Sequence, residues 1–140
     1  MKKYISIDIG GTFIKYGLIN ENGEILEKNE LATEASKGGE QILAKVLKIV
    51  ETYHTKEQVE GVAISTAGMV DSKKGAIRYA SDLIPGYTGI NFKDPIKEKF
   101  DLPCTVENDV NCAGLAEYKA GAGKNSEIAL ILTIGTGIGG

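Results

Sequence analysis

The chain has 140 residues, of which 42% are hydrophobic and 25% charged, a composition that suits one globular domain with its own core. Its net charge of −3 argues against a nucleic-acid-binding surface, which needs clustered lysine and arginine to neutralise phosphates. No apolar run approaches the ~20 residues that span a bilayer, and the N-terminus lacks a signal-peptide pattern. We therefore expect a cytoplasmic protein with neither nucleic-acid nor membrane partners. The two cysteines, Cys104 and Cys112, fit buried thiols better than a disulfide or a zinc site.

Three predicted strands open the chain. Residues 4–9 and 15–19 read as strands joined by a turn at Gly10-Gly11. Asn22-Gly23 predicts a type I′ hairpin turn, because both central positions of that turn need positive φ. The hairpin leads into a third strand over residues 24–31, so the chain is expected to begin with an antiparallel meander.

A helix and a buried strand follow the meander. Apolar residues between positions 42 and 53 recur at the spacing of one helix face, and Ser36 marks the predicted N-cap region. Residues 59–66 are apolar and β-branched, as in a strand buried in a parallel sheet, and end at a glycine turn near Gly68. The polar, glycine-containing stretch after this turn is expected to form a small ribbon and a loop.

The remaining elements complete an alternating α/β pattern. Asp94-Pro95 predicts the start of a short helix, with Asp as the N-cap and Pro at the first helical position. Residues 103–107 form a short strand, and Asn108 or Asp109 caps a helix that runs to residue 120. A final strand spans residues 128–134. This order predicts a mixed α/β sheet of ribonuclease-H-like layout rather than a doubly wound parallel sheet.

An acidic residue interrupts the first strand. A carboxylate at Asp8 is costly in an apolar strand unless it is solvated, paired or bound to a metal. The next residues, Gly10 and Gly11, let backbone N–H groups turn toward a phosphate, Thr12 adds a hydroxyl, and Lys15 adds a charge. Taken alone, the segment is equally compatible with a tight hairpin.

Two further segments admit both a structural and a functional interpretation. The residues from Gly135 to Gly140 match the G-x-G-x-x-G pattern after a strand, a weak signal without the helix and acidic residue of a dinucleotide site. Asn108 and Asp109 are both good N-cap residues, and the spacing alone favours this structural interpretation. The functional alternative is that one of them enters a cleft, where a carboxylate accepts a proton from a sugar hydroxyl and an amide orients its neighbours.

Four segments, taken in order, resemble a known family. They are residues 8–12, 61–71, 107–113 and 135–140, with the sequences DIGGT, GVAISTAGMVD, ENDVNCA and GTGIGG. Together they resemble the ROK family of sugar kinases and sugar-responsive repressors, within the hexokinase–actin superfamily, over essentially the whole chain. The resemblance implies a truncated actin-like ATPase: residues 1–120 as its N-terminal domain, and residues 121–140 as the linker, first strand and phosphate loop of an otherwise absent second domain.

The same resemblance implies the roles of individual residues. A first phosphate site for ATP would be formed by Gly10, Gly11, Thr12 and Lys15, and a second phosphate loop by Gly135, Thr136 and Gly137. Asp8 would hold Mg²⁺ through water, and Asp109 would be the general base. Asn108 and Gly68 would bind the sugar. Zinc is possible in an intact parent protein but is not expected to bind this chain.

The activity implied by the resemblance is transfer of the ATP γ-phosphate to a hydroxyl of a hexose or an N-acetylhexosamine. Ala67 and Asp82 stand where the family often has proline and asparagine, so the sugar is not identified. One alternative is the sugar-sensing domain of a ROK transcriptional regulator, and another is a nicotinamide-binding domain. The 140-residue chain by itself is expected to be inactive and to form homo-oligomers through the apolar strand at residues 128–134.

Overall fold

The computed structural model describes residues 2–80 and 84–108. In chain order the strands are β1 (Lys3–Ile9), β2 (Phe13–Asn20), β3 (Ile25–Ala32), β4 (Gly61–Thr66), β5 (Met69–Asp71), β6 (Ala76–Tyr79) and β7 (Cys104–Asn108). The helices are α1 (Gly39–Lys56) and α2 (Lys93–Phe100). Five strands form one sheet in the order β3-β2-β1-β4-β7, and β5 and β6 form a separate ribbon.

The sheet has an antiparallel half and a parallel half. β1 pairs antiparallel with β2, which pairs antiparallel with β3, so the predicted meander is confirmed. On its other side β1 pairs parallel with β4, and β4 pairs parallel with β7. The ribonuclease-H-like prediction of a mixed sheet is therefore correct, and the small ribbon predicted after β4 is present as β5 and β6.

The turn between β2 and β3 differs from the predicted type I′ turn. Gly23 has a φ of 83°, but Asn22 is not among the residues at positive φ. The carbonyl of Asn20 accepts a hydrogen bond from the Gly23 N–H at 3.0 Å. Its side-chain oxygen accepts two more, from the N–H groups of Asn22 at 2.9 Å and Glu24 at 3.0 Å. The side chain of Asn20 thus organises the turn, and only one residue needs positive φ.

The core lies on one face of the sheet. Ile5, Ile7 and Ile9 of β1 are at most 1% exposed, and the strand register places Val62 and Ile64 of β4 on the same face. Helix α1 contributes a buried stripe to the same cluster, formed by Ile42, Val46, Ile49, Val50 and Tyr53. Since each such side chain stabilises the fold by about 1.5–3 kcal/mol when fully buried, this layer fixes the sheet against α1.

Both helices begin differently from the predictions. Ser36 lies in a short 3-10 turn, and α1 starts at Gly39 without a side-chain cap. The N–H of Gly39 instead donates to the carbonyl of Pro85 at 2.8 Å, and a Cβ at position 39 would lie 2.6 Å from a neighbouring carbonyl oxygen. Asp94 lies inside α2, where its N–H donates to the side-chain oxygen of Asn91 at 2.9 Å. Asn91 therefore takes the capping role that had been predicted for Asp94.

Some predicted features lie outside the described residues. They are the helix up to residue 120, the strand at residues 128–134, Cys112 and Asp82. Cys104 is buried as predicted, and burial raises the pKa of its thiol to about 12. Within the described part of the chain, no helix is long and apolar enough to cross a membrane.

Candidate functional site

The carboxyl ends of three parallel strands meet at one edge of the sheet. The register sets Ile9 of β1 beside Thr66 of β4, and Thr66 beside Asn108 of β7. The segments that leave these strands begin at Gly10, after β1, and at Ala67, after β4. Ligands of open α/β sheets bind outside the carboxyl ends of parallel strands. The predicted residues of the first phosphate site and of the sugar site therefore share one edge.

The turn between β1 and β2 is closed by its own backbone. The N–H of Gly10 donates to the carbonyl of Phe13 at 3.0 Å, and a Cβ on Gly10 would lie 3.0 Å from that oxygen. Gly10 is therefore explained by the tightness of the turn. A Cβ on Gly11 would meet no atom within 4 Å, and the φ of Gly11 lies outside the left-handed region. Nothing in the described residues requires glycine at position 11, so the space beside it is open to a ligand.

A buried threonine holds this turn from the side of the core. Thr33 is 0% exposed, its hydroxyl donates to the carbonyl of Gly10 at 2.8 Å, and its N–H donates to the carbonyl of Thr12 at 2.9 Å. Carbonyl oxygens carry partial negative charge, which would repel a phosphate. Because Thr33 donates to two of them, it stabilises the observed conformation of the turn.

The segment around Thr33 is itself anchored by Lys45 of α1. The Lys45 ammonium donates to the carbonyls of Ala32 at 2.8 Å and Thr33 at 3.0 Å, and to the Glu34 carboxylate at 2.7 Å. Lys37 pairs with the same carboxylate at 2.7 Å. Hydrogen bonds from Lys37 and then Lys45 lower the pKa of Glu34 to about 2. Lys45 of α1 thus fixes the position of Thr33. No sequence pattern indicated this role of Lys45.

Replacing Thr33 by valine should weaken this support more than replacing it by serine. Valine keeps the volume but leaves the partly buried carbonyl of Gly10 without the hydroxyl of Thr33, at a cost of about 1–2 kcal/mol. Serine keeps the hydroxyl and loses one methyl group, at about 0.8 kcal/mol. Urea denaturation measures the free energy of unfolding, and amide hydrogen exchange over residues 10–13 reports on the turn. Equal losses in the two variants would contradict the proposed role of the hydroxyl.

A row of polar residues crosses the sheet on the face opposite the core. The register aligns Lys15 of β2, Asp8 of β1, Ser65 of β4 and Glu107 of β7. The hydroxyl of Ser65 donates to a carboxylate oxygen of Asp8 at 3.2 Å, and Ser65 is 0% exposed. The predicted pair Asp8 and Lys15 is therefore brought together, and Ser65 orients the carboxylate.

The donor set at Asp8 is compatible with magnesium that arrives with a nucleotide. Within the described residues, no three His, Cys, Asp or Glu side chains gather in one place. A protein cage for Mg²⁺ is not required, since this ion is usually bound through one or two carboxylates together with substrate phosphates. Asp8 supplies one half-buried carboxylate beside the turn at Gly10 and Gly11.

The two predicted sugar-binding residues also lie together. The side-chain amide of Asn108 donates to the carbonyl of Gly68. Gly68 has a φ of 96°, and a Cβ there would lie 3.0 Å from the carbonyl oxygen of Tyr79, so glycine is needed at this position. The Asn108 amide thus ties the end of β7 to the turn after β4.

A buried tyrosine anchors the end of β4. The hydroxyl of Tyr87 lies 2.5 Å from that of Thr66, and both residues are 0% exposed. Burial raises the pKa of Tyr87, so its hydroxyl stays protonated at neutral pH. This hydrogen bond joins the loop before α2 to the strand that leads to Gly68, and the sequence did not predict it.

A pocket of about 290 Å³ opens at this edge of the sheet. It is lined by Ala67, Gly68, Met69, Tyr79, Ala80, Ile84 and Asn108. Its volume is at the lower end of the range for ligand sites, about 300–1,000 Å³, and suits a compact ligand such as a monosaccharide. Asp109, Gly135, Thr136 and Gly137 lie outside the described residues, so their roles stay predictions.

Comparison with known proteins identifies the family. The model of the ROK family matches residues 4–140. The chain belongs to the ROK family. A protein of Clostridium perfringens is 53% identical to this ROK chain over 140 residues, which are 100% of this chain and 48% of that protein. A β-glucoside kinase of Listeria monocytogenes is 39% identical over 138 residues, 99% of this chain and 45% of the kinase.

A solved structure agrees with the fold. The ROK family glucokinase of Streptomyces griseus, in complex with glucose and AMPPNP, has a TM-score of 0.72 and 34% identity. The match covers 88% of this chain and 38% of the glucokinase. The ROK chain thus spans less than half the length of the relatives it matches. The predicted family and actin-like fold are confirmed, and several relatives of this chain are sugar kinases.

Proposed function

We propose that the ROK protein containing this chain is an ATP-dependent kinase for a hydroxyl of a hexose or an N-acetylhexosamine. The main support for the proposal is that two features lie at the same edge of the sheet. One is the turn at Gly10 and Gly11, with its carbonyls engaged by Thr33. The other is the pocket of about 290 Å³ beside Gly68 and Asn108.

The phosphate end of the site would lie at the β1–β2 turn. Gly11 and Thr12 would bind phosphate oxygens of ATP, Gly10 would keep the turn closed by donating its N–H to the carbonyl of Phe13, and Lys15 would add positive charge. Asp8 is the residue that would hold Mg²⁺, whose chemistry is to neutralise charge on the phosphates. The complex of the Streptomyces griseus glucokinase with AMPPNP supports a nucleotide as the second substrate. Gly135, Thr136 and Gly137 would supply the second phosphate loop.

The sugar end of the site would be formed by the ends of β4 and β7. Asn108 and Gly68 would orient the sugar, and Asp109 would accept the proton of the attacking hydroxyl. Such transfers depend mainly on positioning and charge stabilisation, which residues anchored to strand ends can provide. A cytoplasmic location and a homo-oligomeric state complete the proposal.

The proposal is tested by coupled ADP release from the complete natural polypeptide that contains these residues. Glucose, mannose, N-acetylmannosamine and an aryl glucoside form the sugar panel. We expect ADP release that depends on at least one of these sugars, and no turnover by the 140-residue chain alone. Sequence-specific DNA binding without sugar-dependent ADP release would instead identify a ROK transcriptional regulator.

A further inference from the structure

Two exposed side chains stand at the mouth of the sugar pocket. Met69 is 57% exposed and Tyr79 is 61% exposed, and both line the pocket together with Gly68 and Asn108. They lie directly opposite each other on the two strands of the ribbon, Met69 on β5 and Tyr79 on β6. The core does not account for them, since the ribbon already buries Ile77, which is 1% exposed.

The backbone under this pair is held in place from several sides. The carbonyl oxygen of Tyr79 would be only 3.0 Å from a Cβ on Gly68, so the end of β6 packs tightly against the turn after β4. The N–H of Ala80 donates to the hydroxyl of Thr88 at 3.1 Å, and the N–H of Ile77 donates to the carbonyl of Ile90 at 2.8 Å. The pair is therefore preorganised, which lowers the entropic cost of binding a ligand.

The chemistry of the pocket mouth favours a neutral ring. Among the described residues that line the pocket, none carries a charge. A tyrosine ring offers a flat apolar face, and a methionine side chain adapts to ring-shaped groups with its polarizable thioether. An apolar pair of this kind contacts the C–H face of a sugar ring or an aromatic ring.

The pocket is large enough for the sugar that receives phosphate but too small for a second ring as well. About 290 Å³ is near the lower limit for a ligand site, so a monosaccharide would fill it and leave no room for a second ring. A ring attached to that sugar would lie at the mouth, where Met69 and Tyr79 are exposed. The β-glucoside kinase of Listeria monocytogenes, 39% identical to this chain, is named for substrates that carry such an attached group.

We propose that Met69 and Tyr79 form a subsite for the second ring of a neutral glycoside, aryl or glycosyl, whose first sugar occupies the pocket. The subsite would make glycosides better substrates than the free sugar. This inference rests on the proposed kinase function and adds a substrate class to it.

The test compares two probes, phenyl β-D-glucoside and cellobiose, with glucose. The quantity measured is kcat/KM for each probe divided by kcat/KM for glucose, in the complete natural polypeptide. Tyr79→Ala is expected to lower this ratio by about 5- to 10-fold, as loss of one ring contact would. Tyr79→Phe should retain the ratio, and Met69→Ala should reduce it less. Ile25→Ala is the matched control, because Ile25 is 63% exposed on a strand at the opposite end of the sheet.

The outcomes separate this inference from the function on which it rests. Absence of ADP release with glucose, both probes, mannose and N-acetylmannosamine would reject the kinase and the subsite together. Activity on mannose or N-acetylmannosamine, with none on glucose or either probe, would reject the subsite and leave the kinase standing. Activity on glucose with a ratio unchanged by Tyr79→Ala would reject the subsite and leave the kinase standing. An equal fall for glucose and both probes would show that Tyr79 shapes the pocket rather than binding a second ring. A fall for only one probe would support the subsite and identify the ring it binds.

Discussion

Replacement of Asp109 by asparagine is expected to lower kcat by about 10²- to 10⁴-fold, the usual contribution of general-base catalysis. An amide has nearly the same size and shape as a carboxylate but does not accept a proton from the sugar hydroxyl. Substrate binding should change far less than turnover, since an amide still forms hydrogen bonds. Steady-state kinetics of sugar-dependent ADP release by the complete natural polypeptide measure both quantities.

Asp101→Asn is the matched control for this substitution. Asp101 follows α2, its side chain is 89% exposed, and it pairs with Lys97 at 2.8 Å. Its φ of 55° is one that asparagine adopts readily. The control variant should therefore keep its activity. Near-normal turnover by Asp109→Asn would reject the role of Asp109 as the base.

The second large effect is expected from Gly11→Ala, which should weaken ATP binding without lowering the free energy of unfolding. A Cβ at this position would meet no protein atom within 4 Å, and the backbone is outside the left-handed region. Alanine should leave the free energy of unfolding unchanged or raise it by about 0.4–1 kcal/mol, through a less flexible unfolded chain. The same methyl group would occupy the space proposed for phosphate, so KM for ATP should rise about 10-fold or more, equivalent to 1.4 kcal/mol or more.

The neighbouring glycine supplies the contrast. A Cβ on Gly10 would lie 3.0 Å from the carbonyl oxygen of Phe13, so Gly10→Ala should lower stability by disturbing the turn itself. Urea denaturation and ATP titration of the two variants distinguish a ligand-binding glycine from a structural one. If Gly11→Ala binds ATP as tightly as the wild type, the first phosphate site lies elsewhere.

The sequence predicted secondary structure correctly where the local preference of a segment agrees with its packing in the fold. The predicted strand at residues 4–9 and the apolar β-branched run of β4 correspond to observed strands, because burial in a sheet favours such apolar segments. The predicted caps at Ser36 and Asp94 were wrong, since close packing of Gly39 and the side chain of Asn91 satisfy those helix ends instead. Local side-chain rules alone do not show which loop lies against a helix terminus.

The candidate site also contains residues that the sequence identified and residues that it did not. Gly10, Gly68 and Asn108 were identified because they form motifs at strand ends, where the topology brings them together. Thr33 and the hydrogen bond between Tyr87 and Thr66 were not predicted, since a single threonine or a side-chain pair distant in sequence forms no local pattern. The exposure of Met69 and Tyr79 depends on the register of a short ribbon with a shift between Met69 and Val70, which composition does not specify.

The central position of β1 has a consequence for the order in which the molecule forms. Its partner β2 follows within a few residues, so the meander can pair as soon as residues 3–32 leave the ribosome. Its other partner, β4, begins only at Gly61, and contacts of such sequence separation form slowly because loop closure must come first. The edge that unites Gly10, Gly68 and Asn108 is therefore completed only after the meander has paired and residues up to 108 have been synthesised. Until then the edge of β1 that pairs with β4 is unpaired, and the proposed binding of nucleotide or sugar would favour chains in which the parallel half has closed.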